Sequence, residues 1–180
     1  MSVEMEIPFV GLVGWSGSGK TTLLEALIAE FDRRGVRVAV VKHTHHRHLQ
    51  TDSPGADSWR FGQAGAIHTT LWAPDQVVHT HRCRAPYSLA EVLAGVHDVD
   101  LIFIEGHKAG AYPKIEVVRA ARAASNAADP LMIPDLVGRI ACVTDVPELP
   151  WQGPRFDFDA VGALADFIQA QIMGDVTGGG

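Results

Sequence analysis

The chain has 180 residues, enough for one domain with a sizeable core and too few for two ordinary domains. With 47% hydrophobic and 20% charged residues it has the composition of a globular protein, and its net charge of -6 argues against a broad surface for nucleic acid or anionic membranes. Two isolated cysteines, an acidic amino terminus without a basic leader region, and no apolar run of the ~18 residues that span a bilayer predict a cytoplasmic protein.

In chain order, apolar β-branched segments alternate with segments of helical periodicity. Strands are predicted over residues 8–15, 36–44, 100–108, 114–120 and 138–147, and helices over 20–35, 57–64, 88–99 and 158–173. Residues 66–73 and 76–83 predict an antiparallel hairpin, residues 121–130 a loop or weak helix, and residues 175–180 a disordered tail. This order predicts an α/β three-layer sandwich, with a mostly parallel sheet and an antiparallel hairpin excursion, in a single domain over residues 1–174.

Residues 14–21, GWSGSGKT, fit the Walker A pattern at every fixed position, between a predicted strand and an amphipathic helix. Glycines let successive N–H groups turn toward phosphate oxygens, and the helix presents its positive end to the same charge. Lys20 is predicted to reach the β- and γ-phosphates, Thr21 to bind Mg²⁺ and Thr22 to touch the α-phosphate. The pattern predicts a P-loop NTPase-type domain whose nucleotide-binding residues are Gly14, Trp15, Ser16, Gly17, Ser18, Gly19, Lys20, Thr21 and Thr22.

A later strand also ends in a residue suited to a nucleotide site, because Glu105 and Gly106 close the run DLIFIEG. Ligands of open α/β sheets bind outside the carboxyl ends of the strands, and Mg²⁺ needs one or two carboxylates. Glu105 is therefore predicted to hold Mg²⁺, directly or through water, or to orient the attacking water, which makes Lys20 and Glu105 the predicted catalytic residues. Asp100 begins the strand and is predicted to lie at the far edge in a structural role.

Residues 42–48, KHTHHRH, follow the second predicted strand and admit three interpretations. They are a divalent-metal site, a surface loop without a role, or a ligand-facing cluster. The strand exit shares the edge of the sheet with the Walker A loop, which favours the third interpretation. Lys42, His43, His45 and His46 are then predicted to contact phosphates or a second anionic substrate.

Acidic residues in two other segments have open interpretations. In the segment DSPGADS, Asp57 or Ser58 caps the next helix, or a mobile switch carries Asp52 or Asp57 toward Mg²⁺. Asp145, in the late run VTDVP, is either a turn residue or an acceptor for guanine N1–H and N2–H₂. The Asn-Lys-x-Asp run that often reads guanine is absent, so the spacing leaves the base undecided.

Together these runs resemble the molybdopterin-guanine dinucleotide biosynthesis protein B (MobB) family. The resemblance rests on GWSGSGKTTLLEALI, KHTHH, DSPGADSWRFGQAGA, DLIFIEGHK and TDVP, in that order, and spans residues 8–170. It implies a P-loop fold of the GTPase class, GTP with Mg²⁺, weak GTPase activity and a homodimer. It also implies a supporting role beside the guanylyltransferase that attaches GMP to molybdopterin. His107 departs from the family pattern, in which an aromatic residue often precedes the lysine.

The leading hypothesis is therefore a GTP-binding accessory protein with slow GTP hydrolysis in molybdenum cofactor biosynthesis. Three alternatives stay open: a metal-insertion GTPase whose histidines carry Ni²⁺ or Zn²⁺, a small-molecule kinase, and a binding module without turnover. The expected partners are a second copy of the chain, joined through the hairpin at 66–83, and the guanylyltransferase. Direct contact with molybdopterin is left open, and neither nucleic acid nor a membrane is expected as a partner.

Overall fold

The computed structural model describes residues 7–46, 49, 51–121 and 131–174. The chain divides into two compact units, one formed by Met1–Thr44 with Ala94–Gly180 and the other by His45–Leu93. The single domain over residues 1–174 stays a prediction. The predicted tail and nearly all of the predicted loop at 121–130 lie outside the described residues.

The strands, in chain order, are β1 Phe9–Val13, β2 Val38–Lys42, β3 His68–Trp72, β4 Val77–His81, β5 Leu101–Glu105, β6 Lys114–Val118, β7 Arg139–Thr144 and β8 Arg155–Phe156. The helices are α1 Lys20–Arg33, α2 Asp57–Gln63, α3 Leu89–Leu93 and α4 Val161–Ile168, which continues as a π-helical turn over Gln169–Met173. Six strands form a parallel sheet in the order β2-β5-β1-β6-β7-β8, and β3 pairs with β4 in a separate antiparallel sheet. The predicted α/β fold with its mostly parallel sheet and hairpin is confirmed.

The core of the first unit lies between α1, α4 and one face of the parallel sheet. Phe31 of α1, Phe103 of β5 and Leu164 of α4 belong to the same buried cluster. Strands β5 and β6 are buried along their whole length, which explains why the first four residues of β5, LIFI, form a continuous apolar run without alternation. Burial of each large apolar side chain contributes about 1.5–3 kcal/mol to the stability of the fold. This packing holds the strand and helix on either side of the Walker A loop in place.

Asp100 lies at the amino-terminal edge of the sheet, as predicted. The Arg37 guanidinium donates hydrogen bonds of 3.0 and 2.7 Å to its carboxylate, and the Arg37 backbone N–H donates a third of 2.8 Å. These bonds lower the pKa of Asp100 to about 2. They tie together the starts of β2 and β5, the two strands that end at Lys42 and Glu105.

Two predicted helices differ from the observed ones in length. The helix predicted over 88–99 has its capping box, with the Ser88 N–H and hydroxyl donating to the Glu91 carboxylate at 2.7 and 2.6 Å. It nevertheless ends at Leu93, because Gly95 follows and Asp98 adopts a φ of 60° that a helix cannot contain. The helix predicted over 158–173 begins at Val161, and the short strand β8 was not predicted.

The second unit contains α2, α3 and the β3–β4 hairpin. The hairpin register pairs Leu71 with Val78, and every residue of β4 is exposed. The prediction that Asp57 or Ser58 caps α2 is wrong. Ala56 precedes the helix without a side-chain hydrogen bond, and the Ser58 hydroxyl instead donates to Asp52. Throughout the described residues, no helix is long and apolar enough to cross a membrane.

Candidate functional site

The loop between β1 and α1 is built on glycine. A Cβ atom on Gly14 would lie 2.5 Å from the Val117 carbonyl oxygen and 2.8 Å from Ser18 Oγ, so no larger residue fits there. Gly17 and Gly19 adopt φ values of 77° and 91°, in the left-handed region that favours glycine. No side chain caps the start of α1 after Gly19, which leaves the first N–H groups of this helix to an anion.

Lys20 folds back over this loop. Its ammonium donates hydrogen bonds to the carbonyl oxygens of Gly14, at 3.1 Å, and Trp15, at 2.8 Å. Burial lowers the pKa of Lys20; Glu105 opposes this shift, and the charges of Lys108 and Lys42 add to it. An anion bound in the loop would favour the charged form of the Lys20 ammonium.

The Ser18 hydroxyl is a second donor inside the loop. The side chain is 1% exposed, and within the described residues its oxygen has no hydrogen-bond partner. Leaving a buried hydroxyl unsatisfied costs about 1–3 kcal/mol. A phosphate oxygen is a suitable acceptor for such a group.

Thr21 and Glu105 meet beside the loop. The Thr21 hydroxyl donates to Glu105 Oε1 at 3.2 Å, and the Lys42 ammonium lies 3.2 Å from Oε2 of the same carboxylate. Lys42 is opposite Glu105 in the parallel register of β2 and β5, so the two strand ends bring the pair together. The structure therefore joins the Walker A threonine to the acidic strand end, two residues separated by 84 positions.

These donors suit Mg²⁺, a hard cation that takes oxygen ligands and keeps several waters. Thr21 supplies a hydroxyl and Glu105 a carboxylate that is only 7% exposed. The two groups approach each other within hydrogen-bond distance, which is close enough for both to face one ion or its water shell. Asp57, the third predicted magnesium ligand, belongs to the second unit and pairs with Arg60 at 3.5 Å.

Aromatic side chains line the exits of β2 and β5. The His43 and His107 rings meet edge to face with centroids 5.1 Å apart, and His107 stacks on Tyr112 at 5.9 Å. His107 thus takes part in stacking, although the family pattern led us to expect a different aromatic residue before the lysine. Burial lowers the pKa of His107, and His43 and Lys114 lower it further. Lys108 places its ammonium 4.0 Å from the Trp15 ring centroid, beside the loop.

The predicted histidine cluster is divided between the two units. Lys42 and His43 belong to the first unit, whereas His45 and His46 belong to the second. Their predicted contacts with an anionic ligand stay predictions. As for a metal centre, the part of the chain that the structure describes contains no group of three or more His, Cys, Asp or Glu residues arranged to hold an ion.

The other side of the loop carries a residue that the sequence analysis missed, Arg119. Its guanidinium lies 3.8 Å from the Phe158 ring centroid, and its Nε donates to the Ser18 carbonyl at 3.4 Å. Asp145 lies next to it, with 3.9 Å between Oδ2 and the guanidinium, and accepts a 2.6 Å hydrogen bond from the Ala120 N–H. Arg119 directly follows β6, so its place at a strand exit was the available signal.

Comparison with known proteins places this site in a family context. The family model described as molybdopterin guanine dinucleotide synthesis protein B matches residues 9–143. A molybdopterin-guanine dinucleotide biosynthesis adapter protein of Haemophilus influenzae is 36% identical over 167 residues, covering 91% of this chain and 89% of the relative. The Escherichia coli protein of the same name is 35% identical over 172 residues, covering 93% and 95%.

Solved structures agree with the sequence relatives. The crystal structure of Bacillus subtilis MobB is similar to this chain with a TM-score of 0.73 and 25% identity, covering 94% of this chain and all of that one. The structure of a MobB homologue from Bacillus stearothermophilus gives a TM-score of 0.65 and 26% identity, covering 91% and 96%. The family model, which spans residues 9–143, includes the Walker A loop at residues 14–21.

Proposed function

The chain belongs to the molybdopterin guanine dinucleotide synthesis protein B family, and from this premise we propose that it is a GTP-binding adapter that assists the guanylyltransferase of molybdenum cofactor biosynthesis. The role as an adapter in molybdopterin guanine dinucleotide biosynthesis follows from the family. The observation that carries the nucleotide part is the contact between Thr21 and Glu105 beside the Walker A loop. The described chain has neither a membrane-crossing helix nor a disulfide, and we place its action in the cytoplasm.

In this proposal the loop binds the phosphates of GTP. Lys20 exchanges its hydrogen bonds to the loop carbonyls for bonds to the β- and γ-phosphates, and the buried Ser18 hydroxyl finds an acceptor. Backbone N–H groups at the start of α1 add a fixed positive field. Lys42 and Lys108 contribute further positive charge near the loop, as their effect on the pKa of Lys20 indicates.

Thr21 and Glu105 would hold Mg²⁺, which when bound would neutralise negative charge on the phosphates. Lys20 and Glu105 act on hydrolysis by positioning: Lys20 stabilises the γ-phosphate oxygens, and Glu105 orients the attacking water. In the part of the chain that the structure describes, the carboxylate of Glu105 contacts Thr21 and Lys42 and no arginine. We therefore expect GTP turnover slower than the ~1–100 s⁻¹ of kinases.

We further propose that the adapter works as a homodimer joined through β3 and β4. These strands form a two-stranded sheet, and such a pair is marginally stable by itself. The strands expose large apolar side chains, among them Trp72 at 87% and Val77 at 50%. Pairing across a twofold axis would cover the open strand edges and these side chains. The guanylyltransferase is the second proposed partner, and molybdopterin reaches this chain directly or through that enzyme.

The experiment that tests the nucleotide proposal titrates GTP and ATP into the protein with Mg²⁺ and measures phosphate release. We expect GTP to bind more tightly than ATP by about tenfold or more, with slow release of phosphate. Lys20→Ala should lose both binding and turnover. Arg33→Ala is the matched control, because it removes a cation from the same helix whose contact is with Glu30.

Either of two results would overturn the proposal. Unchanged GTP affinity in Lys20→Ala would show that the loop does not bind the phosphates. Equal affinity for GTP and ATP would show that the protein does not select the guanine nucleotide.

A further inference from the structure

The terminal phosphates of a nucleotide in the proposed site would lie at the Trp15 end of the Walker A loop. The Walker A lysine cradles the β- and γ-phosphates in P-loop sites, and the Lys20 ammonium reaches back to the Trp15 carbonyl, 2.8 Å away. Thr21 and Glu105, the proposed magnesium ligands, mark the same side, because magnesium in such sites bridges the β- and γ-phosphates. The γ-phosphate would therefore face the exit of β5, where residues 106–113 begin.

Residues 106–113 form a closed loop beside this position. Gly106 turns the chain with a φ of 88°. At the other end of the loop, the Tyr112 hydroxyl donates a hydrogen bond to the His107 carbonyl, and Tyr112 is only 7% exposed. The buried tyrosine thus closes the loop, and Lys108 lies on its exposed part.

Lys108 places its ammonium on the face of the Trp15 ring, 4.0 Å from the centroid. In the part of the chain that the structure describes, no carboxylate pairs with this ammonium. The charges of Lys108 and Lys42 both lower the pKa of Lys20, and Glu105 opposes them. Three ammonium groups therefore surround one carboxylate, which leaves a surplus of positive charge for an anion.

The contact between Lys108 and Trp15 is one that a phosphate can replace. An ammonium over a partly exposed indole is held weakly, whereas an ammonium that donates to a phosphate oxygen forms a charge-assisted hydrogen bond. The flexible stem of lysine lets the charged group move while the backbone of the loop stays in place. Trp15 also accepts the hydrogen bond of Lys20, so one residue of the Walker A loop holds both lysines.

We propose that Lys108 contacts the γ-phosphate and determines the preference of the site for a triphosphate over a diphosphate, with Trp15 as the residue that positions it. The inference rests on the proposed function, because it assumes that the loop binds a nucleotide. It adds the group that distinguishes GTP from GDP, and it places that group in the loop after β5, outside the Walker A pattern.

The test measures the affinities of GDP and of the non-hydrolysable analogue guanosine 5′-(β,γ-imido)triphosphate with Mg²⁺. The wild type should bind the triphosphate more tightly. Lys108→Met should reduce the ratio of triphosphate to diphosphate affinity by about fivefold to tenfold, because a charge-assisted hydrogen bond at a partly exposed site is lost. GDP affinity near neutral pH should change by less than about twofold, since GDP lacks the γ-phosphate that Lys108 contacts.

Two further variants complete this measurement. Lys108→Arg should keep part of the ratio, because it retains a cation that stacks on an aromatic ring. Arg33→Met is the matched control, since it removes an exposed cation of α1 that pairs with Glu30. Its ratio should equal that of the wild type.

The positioning role of Trp15 has its own readout. Trp15→Phe keeps an aromatic face and should keep most of the ratio, whereas Trp15→Leu should lower the ratio as Lys108→Met does. In the protein without nucleotide, Lys108→Met should also shift the indole N–H resonance of Trp15 in an NMR spectrum. Equal ratios in Trp15→Phe and Trp15→Leu, or an unshifted resonance, would overturn this role.

The outcomes separate the two proposals. Nucleotide binding with an unchanged ratio in Lys108→Met would overturn the γ-phosphate contact and leave phosphate binding intact. A wild-type protein that binds neither GDP nor the triphosphate analogue would overturn the proposed function and this inference with it.

Discussion

At the level of single residues, the Glu105 carboxylate of the proposed magnesium site has two partners. The Thr21 hydroxyl and the Lys42 ammonium each lie 3.2 Å from one of its oxygens. The hydroxyl can turn to ligate the metal alongside Glu105, whereas the ammonium can only compete with it. In the proposed magnesium site, Lys42 would therefore compete with the ion for the Glu105 carboxylate.

Lys42→Met should accordingly raise Mg²⁺ affinity by up to about fivefold, which corresponds to the free energy that a partly exposed ion pair contributes. The measurement is a titration of Mg²⁺ into the protein saturated with GDP. Lys108→Met is the control, because Lys108 also lowers the pKa of Lys20 but contacts the Trp15 ring and has no ion pair with Glu105. Equal effects of the two substitutions would rule out competition at Glu105.

If the loop binds a nucleotide as proposed, Lys20 should make that binding sensitive to alkaline pH. Its pKa lies below the usual 10.5 because the side chain is buried, so the ammonium loses its proton earlier than an ordinary lysine as the pH rises. GDP affinity should therefore be constant near neutral pH and fall on the alkaline side. Lys108→Met should move this fall to higher pH, since it removes one of the charges that lower the pKa. If GDP affinity falls at the same pH in Lys108→Met as in the wild type, the charge of Lys108 does not lower the pKa of Lys20.

At the level of elements, the strand–loop–helix unit depends on Gly14. Gly14→Ala places a Cβ 2.5 Å from the Val117 carbonyl oxygen on β6, so β1 and β6 must separate or the loop must move. We expect a loss of about 1–3 kcal/mol of unfolding free energy, measured by denaturant titration, together with the loss of nucleotide binding.

Gly35→Ala is the control at the other end of α1. Gly35 has a φ of 73° but nothing within 4 Å of an added Cβ, so this substitution costs strain alone. It should destabilise by about 1 kcal/mol and keep nucleotide binding. Similar losses of binding in the two variants would show that general destabilisation, and not the loop geometry, is responsible.

The sequence predicted the elements whose signals are local. Continuous apolar runs identified β1 and β5, and the Walker A glycines fixed the turn before α1. It could not predict that Lys42 pairs with Glu105, or that Arg119 reaches Ser18, because these contacts depend on the order of strands in the sheet. The strand order places β5 on one side of β1 and β6 on the other, and so separates the two flanks of the site.

At the level of the whole molecule, we expect a homodimer joined through the β3–β4 hairpin. Light scattering or small-angle scattering should give twice the chain mass of 19.4 kDa. Replacing the paired residues Leu71 and Val78 with lysine should produce a monomer, because charged side chains on edge strands oppose pairing. Val137→Lys, which changes an exposed apolar residue of the first unit, should stay dimeric. A monomeric wild-type protein would reject the proposed dimer.

We propose that this chain acts as an adapter through the binding of GTP at its Walker A loop. The most direct measurement is the yield of molybdopterin guanine dinucleotide from guanylyltransferase, molybdopterin and limiting GTP, with and without this protein. We expect the wild type and Arg33→Ala to raise the yield, whereas folded Lys20→Ala should not. An equal increase with Lys20→Ala, or no increase with the wild type, would contradict it.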